Sequence, residues 1–466
     1  MSATLSTDGV QPPAPRTLTG AQVLVEALRV EGVQLVFGIV GGKLSPFFHA
    51  LSQAEDIRFI GVRHEASAAM MAAAHYAATG QMAVAVAEMG PGALNLASGL
   101  GMAFNNHLPV LAITSNQHQA VSYPHRGMFM DLDSCAVTRP VTKWNAYVHD
   151  GQRILEVTRQ AFREALSGRG GPVHLDFAHD ALSQPVTVSE AMLALAPASY
   201  RPVSRPAPAS ADIGLAMALI ADARRPVLVA GGGAVQAGAV TALRAFAERL
   251  GAPVIPTQMG LGCVASSSPH FIGHGGIIGG KALLQALHDA DLVISVGCRW
   301  SSWMWDERGA LVRPEQKHIN INIDPSALGR ASNHALAIWA DARHTLEALL
   351  AAPQWAPVQA ASEWLGRLRG LYEQDQVRRL RLAAQEAMPM HPAALAQRIA
   401  ALLPSDCRVV FDGGHTSFWS NEYTPVEAPR TRLHEPGMSH LGFGLPAALA
   451  IQAAYPDRLV VNITGD

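Results

Sequence analysis

LGFGLPAALAIQAAYPDRLVVNITGD, residues 441–466, reads as a glycine-rich turn, a short apolar helix, and a strand that ends in Gly465-Asp466. A strand over 459–464 delivers that aspartate at its carboxyl end, where open α/β sheets place their ligands. A carboxylate in that position is a candidate ligand for a hard cation. Gly-Asp at a strand end also serves plain turn geometry, so the context elsewhere in the chain has to decide.

With 466 residues the chain has room for about three domains. Its 49% hydrophobic and 15% charged content describes a well-packed globule, and a net charge of -2 leaves no basic field to hold nucleic acid or an anionic membrane. Small-molecule chemistry is the class that remains. Cys135, Cys263, Cys298 and Cys407 stand apart, without CxxC or zinc-type spacing, and read as reduced core residues of a cytoplasmic protein. Residues 1–16 form a polar, proline-bearing tail with no signal-peptide pattern. The longest apolar window, 66–87, is interrupted by His75, Thr79, Gly80 and Gln81, which fits a helix followed by a strand and not a membrane span.

Read in order, Thr19 and Gln22 make a capping box for a helix through Leu24 and Leu28 that Gly32 closes. A strand over 35–39 runs into Val40-Gly41-Gly42, and a second helix begins near Ser45-Pro46. Strand 59–62 leads through Arg63-His64-Glu65 into an alanine-rich helix. Strand 82–87, the Gly90-Pro91-Gly92 turn, a helix to Asn105, strand 110–114 and strand 173–177 continue the alternation, which is the pattern of a parallel α/β sheet. Residues 189–212, rich in Pro, Ala and Ser, are expected to be an exposed connection. A second Rossmann-like unit follows, with strands at 226–230, 253–257, 292–296 and 318–324. Its Gly231-Gly232-Gly233 turn lacks full GxGxxG spacing, so close helix-sheet packing is the favoured reading over a dinucleotide site. Residues 352–392 read as a charged linker helix whose Leu365, Leu368, Leu371 and Tyr372 cover a neighbouring surface. A helix over 393–403, a strand over 408–411 and the turn Asp412 to Thr416 open a third α/β unit.

Glu65 is the first chemical candidate, a carboxylate where a strand meets a helix of Ala and Met. Burial would raise its pKa while the helix N-terminus and Arg63 would lower it; a capping or salt-bridged glutamate is the competing reading. His415 and Thr416 lie in a glycine-rich turn suited to phosphate oxygens, with a plain surface turn as the rival. RWSSWMWDER, residues 299–308, is either a ring-stacking loop or packing, and packing is favoured. His107, His118 and His125 lack metal-type pairing and read as structural.

Nine segments in order carry a resemblance: VFGIVGG (36–42), VRHEASAAMMA (62–72), MGPGALNLASGL (89–100), VTRPVTKWNAYV (137–148), RPVLVAGGGA (225–234), ININIDP (319–325), FDGGHTSFWS (411–420), LGFGLPAA (441–448) and NITGD (462–466). Together they resemble the thiamine diphosphate enzymes of the acetolactate synthase and benzoylformate decarboxylase group. The resemblance implies three doubly wound parallel-sheet α/β domains: pyrimidine-binding at 17–188, central Rossmann-like at 213–352 and diphosphate-binding at 393–466. Residues 189–212 and 353–392 would be linkers, and the last domain would be present as its first half only. It implies an active site shared between subunits of a homodimer or homotetramer.

By position, Glu65 resembles the glutamate that exchanges a proton with the aminopyrimidine ring and so readies the cofactor for a 2-oxo acid. Gly41, Gly42, Pro91 and Asn95 fall among the cofactor-binding positions. His415 and Thr416 match side chains on the diphosphate, Ser439 meets the aminopyrimidine through its backbone, and Leu441 supports the bent cofactor. Gly465 and Asp466 begin the magnesium motif, with Asp466 as the metal ligand. FAD is a further candidate cofactor, suggested only by Gly231 to Gly233 and Asp324. The implied activity is carboligation of a 2-oxo acid; the alternatives are a benzoylformate-type decarboxylase and a non-catalytic cofactor-binding subunit. Two departures bear on substrate: Met130-Asp131 replaces Gln-Glu of acetolactate synthases, and Ser301-Ser302-Trp303 replaces Asp-Asp-Arg. Losing that arginine removes a fork for a carboxylate. With half a domain expected to be missing, the 466 residues are expected to recognise the cofactor but not to turn over alone.

Overall fold

A computed structural model describes residues 15–465 apart from 123–125, 277–278, 307–308, 311, 331–334, 354, 356–360 and 387. It divides into two compact units. One runs to Val203 without Ala77–Gly80, and the other holds Ala77–Gly80 and the chain from Ser204 onward.

The first unit contains β1 (Arg16–Thr19), β2 (Leu35–Gly38), β3 (Arg58–Gly61), β4 (Val84–Ala87), β5 (Leu111–Asn116), β6 (Trp144–Val148), β7 (Val173–Ala178) and β8 (Pro185–Val188). Six of them form a parallel sheet in the order β3-β2-β4-β5-β7-β6, while β1 and β8 pair antiparallel. β4, β5 and β7 are buried along their whole length, as expected of central parallel strands covered on both faces. The order reverses at β2, so the carboxyl ends of β2 and β4 flank the crevice where such sheets bind ligands. Thr19 caps the helix Gly20–Val30 as anticipated: its hydroxyl accepts from Gln22 N at 3.2 Å, and the Gln22 side chain accepts from Thr19 N at 2.8 Å. The stretch after 188 is largely exposed, as anticipated, and is anchored at Tyr200 and Arg201. Arg201 pairs with the buried Glu31 carboxylate at 2.9 Å, and Tyr200 donates to the same group.

In the second unit, β9 (Pro226–Ala230), β10 (Val254–Pro256) and β11 (Leu292–Val296) are followed by a two-residue ladder, β12 (Trp305–Asp306) and β13 (Gly309–Ala310). Next come β14 (Lys317–Asn322), β15 (Leu336–Trp339), β16 (Arg408–Phe411), β17 (Arg432–His434) and β18 (Val460–Ile463). Two parallel sheets result, β10-β9-β11-β14-β15 and β17-β16-β18. The helix Ala361–Ala383 buries Trp364, Leu368, Asp375 and Arg379 on one stripe, with Leu371 and Tyr372 beside it. Leu365 lies off that stripe and is only partly buried, because the four-residue spacing starts from Trp364. Asp375 accepts from Lys281 N at 2.6 Å and so caps the helix Lys281–Asp289.

All four cysteines are free, and three are buried; burial pushes Cys263 up to about 12 and Cys298 up to about 11. Among the described residues no helix is long and apolar enough to cross a membrane.

Burial holds four imidazoles neutral: His75, His274 and His434 fall to about 4 and His174 to about 3. It raises the Asp176 carboxyl to about 7. Each histidine has a folded pKa below its unfolded 6.5, so its stabilisation is complete above 6.5 and is lost as the pH falls toward 4. Asp176 acts in the opposite direction between about 4 and 7. The four histidines outnumber the carboxyls raised by burial that oppose them, Asp176 and Glu422, so stability falls as the pH drops from about 6.5 toward 5. Urea melts at pH 7, 6 and 5 check the sign; stability that rises on acidification would contradict it.

Candidate active site

At the carboxyl edge of the first unit's sheet, three neighbouring strands each deliver a segment. Gly41-Gly42 follows β2, Glu65 follows β3, and 88–95 follows β4. Glu65 opens the helix Glu65–Thr79, whose next positions are buried alanines and methionines. Asn95 donates its side-chain N–H to Glu65 Oε2 at 2.9 Å. The other oxygen lies 3.3 Å from where a Cβ on Gly92 would sit. Pro91 starts the helix Pro91–Asn105, so its lack of an N–H costs nothing there. Glu65 and Asn95 are thus brought together, with Gly92 beside the same carboxylate; Pro91 only opens the helix that carries Asn95.

A Cβ on Gly42 would have nothing within 4 Å, whereas Gly41 meets a residue that the sequence reading passed over, Glu88. Its carboxylate accepts from Lys43 N at 2.8 Å, from Met89 N at 3.0 Å and from the buried Ser115 hydroxyl. A Cβ on Gly41 would lie 2.7 Å from Glu88 Cβ, so glycine is what lets the turn close over this acid. The sequence signal was an acid placed between a buried strand and a Gly-Pro turn.

The second unit repeats the arrangement at the carboxyl edge of β17-β16-β18. Gly414, at φ 80, turns the chain into the helix His415–Tyr423. No side chain caps that helix and no acid occupies its first turn, which leaves its amides open to an anion. Asp412 is withdrawn from the opening: Gly413 N donates to it at 2.8 Å, and the Thr464 hydroxyl at 3.0 Å. Gly413 lets the 435–441 loop lie close, since its Cβ would fall 3.0 Å from Ser439 O and 2.9 Å from Leu441 Cδ2. Gly465 abuts Thr416. His415, Thr416, Ser439, Leu441 and Gly465 therefore share one edge, while Asp466 lies outside the described residues. Among those described, no cluster of three or more His, Cys, Asp or Glu side chains suits a metal.

The central glycines are occupied by protein. A Cβ on Gly231 would lie 2.6 Å from Cys298 Cα, one on Gly233 2.8 Å from Gly297 Cα, and one on Gly232 2.7 Å from Met259 Cβ. Asp324 is used as a cap, accepting from Ser326 N at 3.0 Å. These glycines serve the close packing of that turn. Of the tryptophan loop, Trp300 is buried edge-on to His318. Trp303 donates to Pro436 O at 2.9 Å and lies edge-on to Phe418 and His434. The Trp305 side chain lies outside the described residues, as does His125. His118 stacks edge-on with His179, which bonds to the Lys43 carbonyl.

The residues present fit thiamine diphosphate in two places. An acid whose one oxygen is held by Asn95 suits a ring nitrogen that exchanges a proton, and an uncapped helix N-terminus behind two glycines suits a diphosphate. Comparison with known proteins agrees. The model described as thiamine pyrophosphate enzyme, N-terminal TPP binding domain, matches residues 18–137; that of the central domain matches 213–349, and that of the C-terminal TPP binding domain matches 412–466. A probable acetolactate synthase large subunit of Methanocaldococcus jannaschii is 32% identical over 460 residues, covering 96% of this chain and 76% of that protein. The acetolactate synthase large subunit of Corynebacterium glutamicum is 32% identical over 97% of this chain and 71% of its own length. For the acetolactate synthase isozyme 1 large subunit of Escherichia coli the figures are 32%, 97% and 77%. By its fold, its two ligand-ready edges and these likenesses, the chain belongs to the thiamine pyrophosphate enzymes.

Proposed function

We propose that the protein is a thiamine diphosphate- and magnesium-dependent carboligase acting on a 2-oxo acid. The observation that carries the reading is Glu65, set by Asn95 at the head of an apolar helix on the switch-point edge of its sheet. When bound, thiamine diphosphate supplies a thiazolium carbon that attacks the 2-oxo group and accepts the electrons released with carbon dioxide. Glu65 holds and returns a proton at the pyrimidine nitrogen. His415 and Thr416, with the amides of their helix, hold the diphosphate; the Ser439 carbonyl and the Leu441 side chain hold the pyrimidine and the bend. Asp466 is the proposed magnesium ligand. In this reading the pyrimidine-binding, central and diphosphate-binding domains span 17–188, 213–352 and 393–466, and the working form is a homodimer or larger.

A second reading, a benzoylformate-type decarboxylase, draws on Trp303. It stands where acetolactate synthases carry an arginine, and its ring joins Phe418 and His434 in an aromatic cluster. Such a wall favours apolar carbonyl substrates over a second carboxylate. Incubation of a version extended to its relatives' length with pyruvate and with an aromatic 2-oxo acid separates the readings: a coupled product from pyruvate is expected for ligation, and free aldehyde alone for decarboxylation. Calorimetric titration of thiamine diphosphate with magnesium tests the common premise, and no binding would remove it.

A further inference from the structure

The loop from 435 to 441 is held by the first residue within it. Glu435 follows the last residue of β17 and is 3% exposed. Its Oε1 accepts from Met438 N at 2.7 Å and its Oε2 from His440 N at 2.8 Å. Ser439 lies between these two amides with φ 52, a left-handed conformation that costs a residue with a Cβ. The same loop is fastened at Pro436, whose carbonyl accepts from Trp303 Nε1 at 2.9 Å.

The planarity of the peptide gives this clamp a direction. The N–H of His440 and the C=O of Ser439 belong to one trans peptide unit and point opposite ways. Drawing the His440 N–H onto a buried carboxylate therefore turns the Ser439 carbonyl away from Glu435, toward the Gly413 turn that it faces. Charge-assisted bonds to both oxygens make this hold stiffer than a neutral acceptor would. We infer that Glu435 is a positioning residue that aims the Ser439 carbonyl at the cofactor's pyrimidine and keeps Ser439 left-handed in the absence of cofactor. The inference rests on the reading of Ser439 as a cofactor contact.

Glutamine at 435 keeps the shape but can accept at one end only, setting an N–H against the second amide. Glu435→Gln should therefore speed hydrogen exchange at Met438 and His440 in the cofactor-free chain. It should also raise the dissociation constant for thiamine diphosphate with magnesium about tenfold, as for loss of one charged hydrogen bond. Glycine adopts left-handed φ freely. Adding Ser439→Gly to Glu435→Gln should thus restore cofactor affinity to within about threefold of the parent, a recovery that general destabilisation would not give. Unchanged exchange, unchanged affinity, or failure of the glycine to restore affinity overturns the inference. If the parent chain binds no thiamine diphosphate, the site reading itself falls and takes the cofactor role of Glu435 with it, even where the exchange result still shows the brace.

Discussion

In a version of the chain extended to the length of the relatives it matches, Glu65→Gln is expected to lower kcat by about 10²- to 10⁴-fold, the range for loss of a positioned acid-base group. The substitution is close to isosteric. Its amide oxygen can still accept from Asn95, which now holds Glu65 Oε2 at 2.9 Å, so the helix start and its packing should persist. What disappears is the ability to give and take a proton at one atom. In the proposed reading His415 and Thr416, not Glu65, carry the diphosphate, so cofactor affinity should fall far less than turnover. Steady-state kinetics at saturating thiamine diphosphate and magnesium, beside a calorimetric titration of the same variant, measure both quantities. Turnover within about threefold of the parent would remove Glu65 from its assigned role. A parallel collapse of affinity and thermal midpoint would show instead that its carboxylate is structural.

Much of this arrangement was legible in the sequence for a simple reason. Central parallel strands covered on both faces leave continuous apolar runs, and PVLVA at Pro226–Ala230 and LVISV at Leu292–Val296 begin and end where those runs do. The residues that follow such strands land at carboxyl edges by topology alone, which is how Gly41, Glu65, His415 and Thr416 came into view; Pro91 and Asn95 were supplied as site positions by the resemblance. Edge strands were harder. Trp144–Val148, Leu336–Trp339 and Arg432–His434 each border a sheet on one side only and carry mixed or short sequences. Their strand character comes from the neighbour and not from the run itself.

Buried acids were harder still. Glu88 owes its importance to Lys43 and Ser115, which are 45 and 27 residues away, and no local pattern records that meeting. Asp176 sits inside a strand that reads as apolar, bonded by the Thr114 hydroxyl and the Asn116 amide at 2.6 Å each. Glu435 is local to its own loop, yet its role depends on a left-handed serine that the sequence Pro436-Gly437-Met438-Ser439 does not announce.

The second large effect concerns the central glycines, where the same chemical change should act with opposite signs at two positions. Gly231→Ala is expected to cost about 4 kcal/mol or more. Its Cβ would run into Gly297 O and lie 2.6 Å from both Gly297 C and Cys298 Cα, all of them backbone atoms that no rotamer change can move. The contact is also bonded: Gly231 N donates to Val296 O at 2.9 Å and Gly233 N to Gly297 O at 3.0 Å, so the turns after β9 and β11 form one joint. Relieving the clash would pull that joint apart and leave buried amides without acceptors. Gly214, exposed inside the helix Ser210–Ala221 with nothing within 4 Å of an added Cβ, should respond the other way. Gly214→Ala is expected to stabilise by about 0.5–1 kcal/mol, through the entropy that glycine loses in a helix. Equilibrium urea unfolding of the two variants measures both effects. A mild cost at Gly231 would mean that the turn can open; the expected large cost ties its conformation to packing.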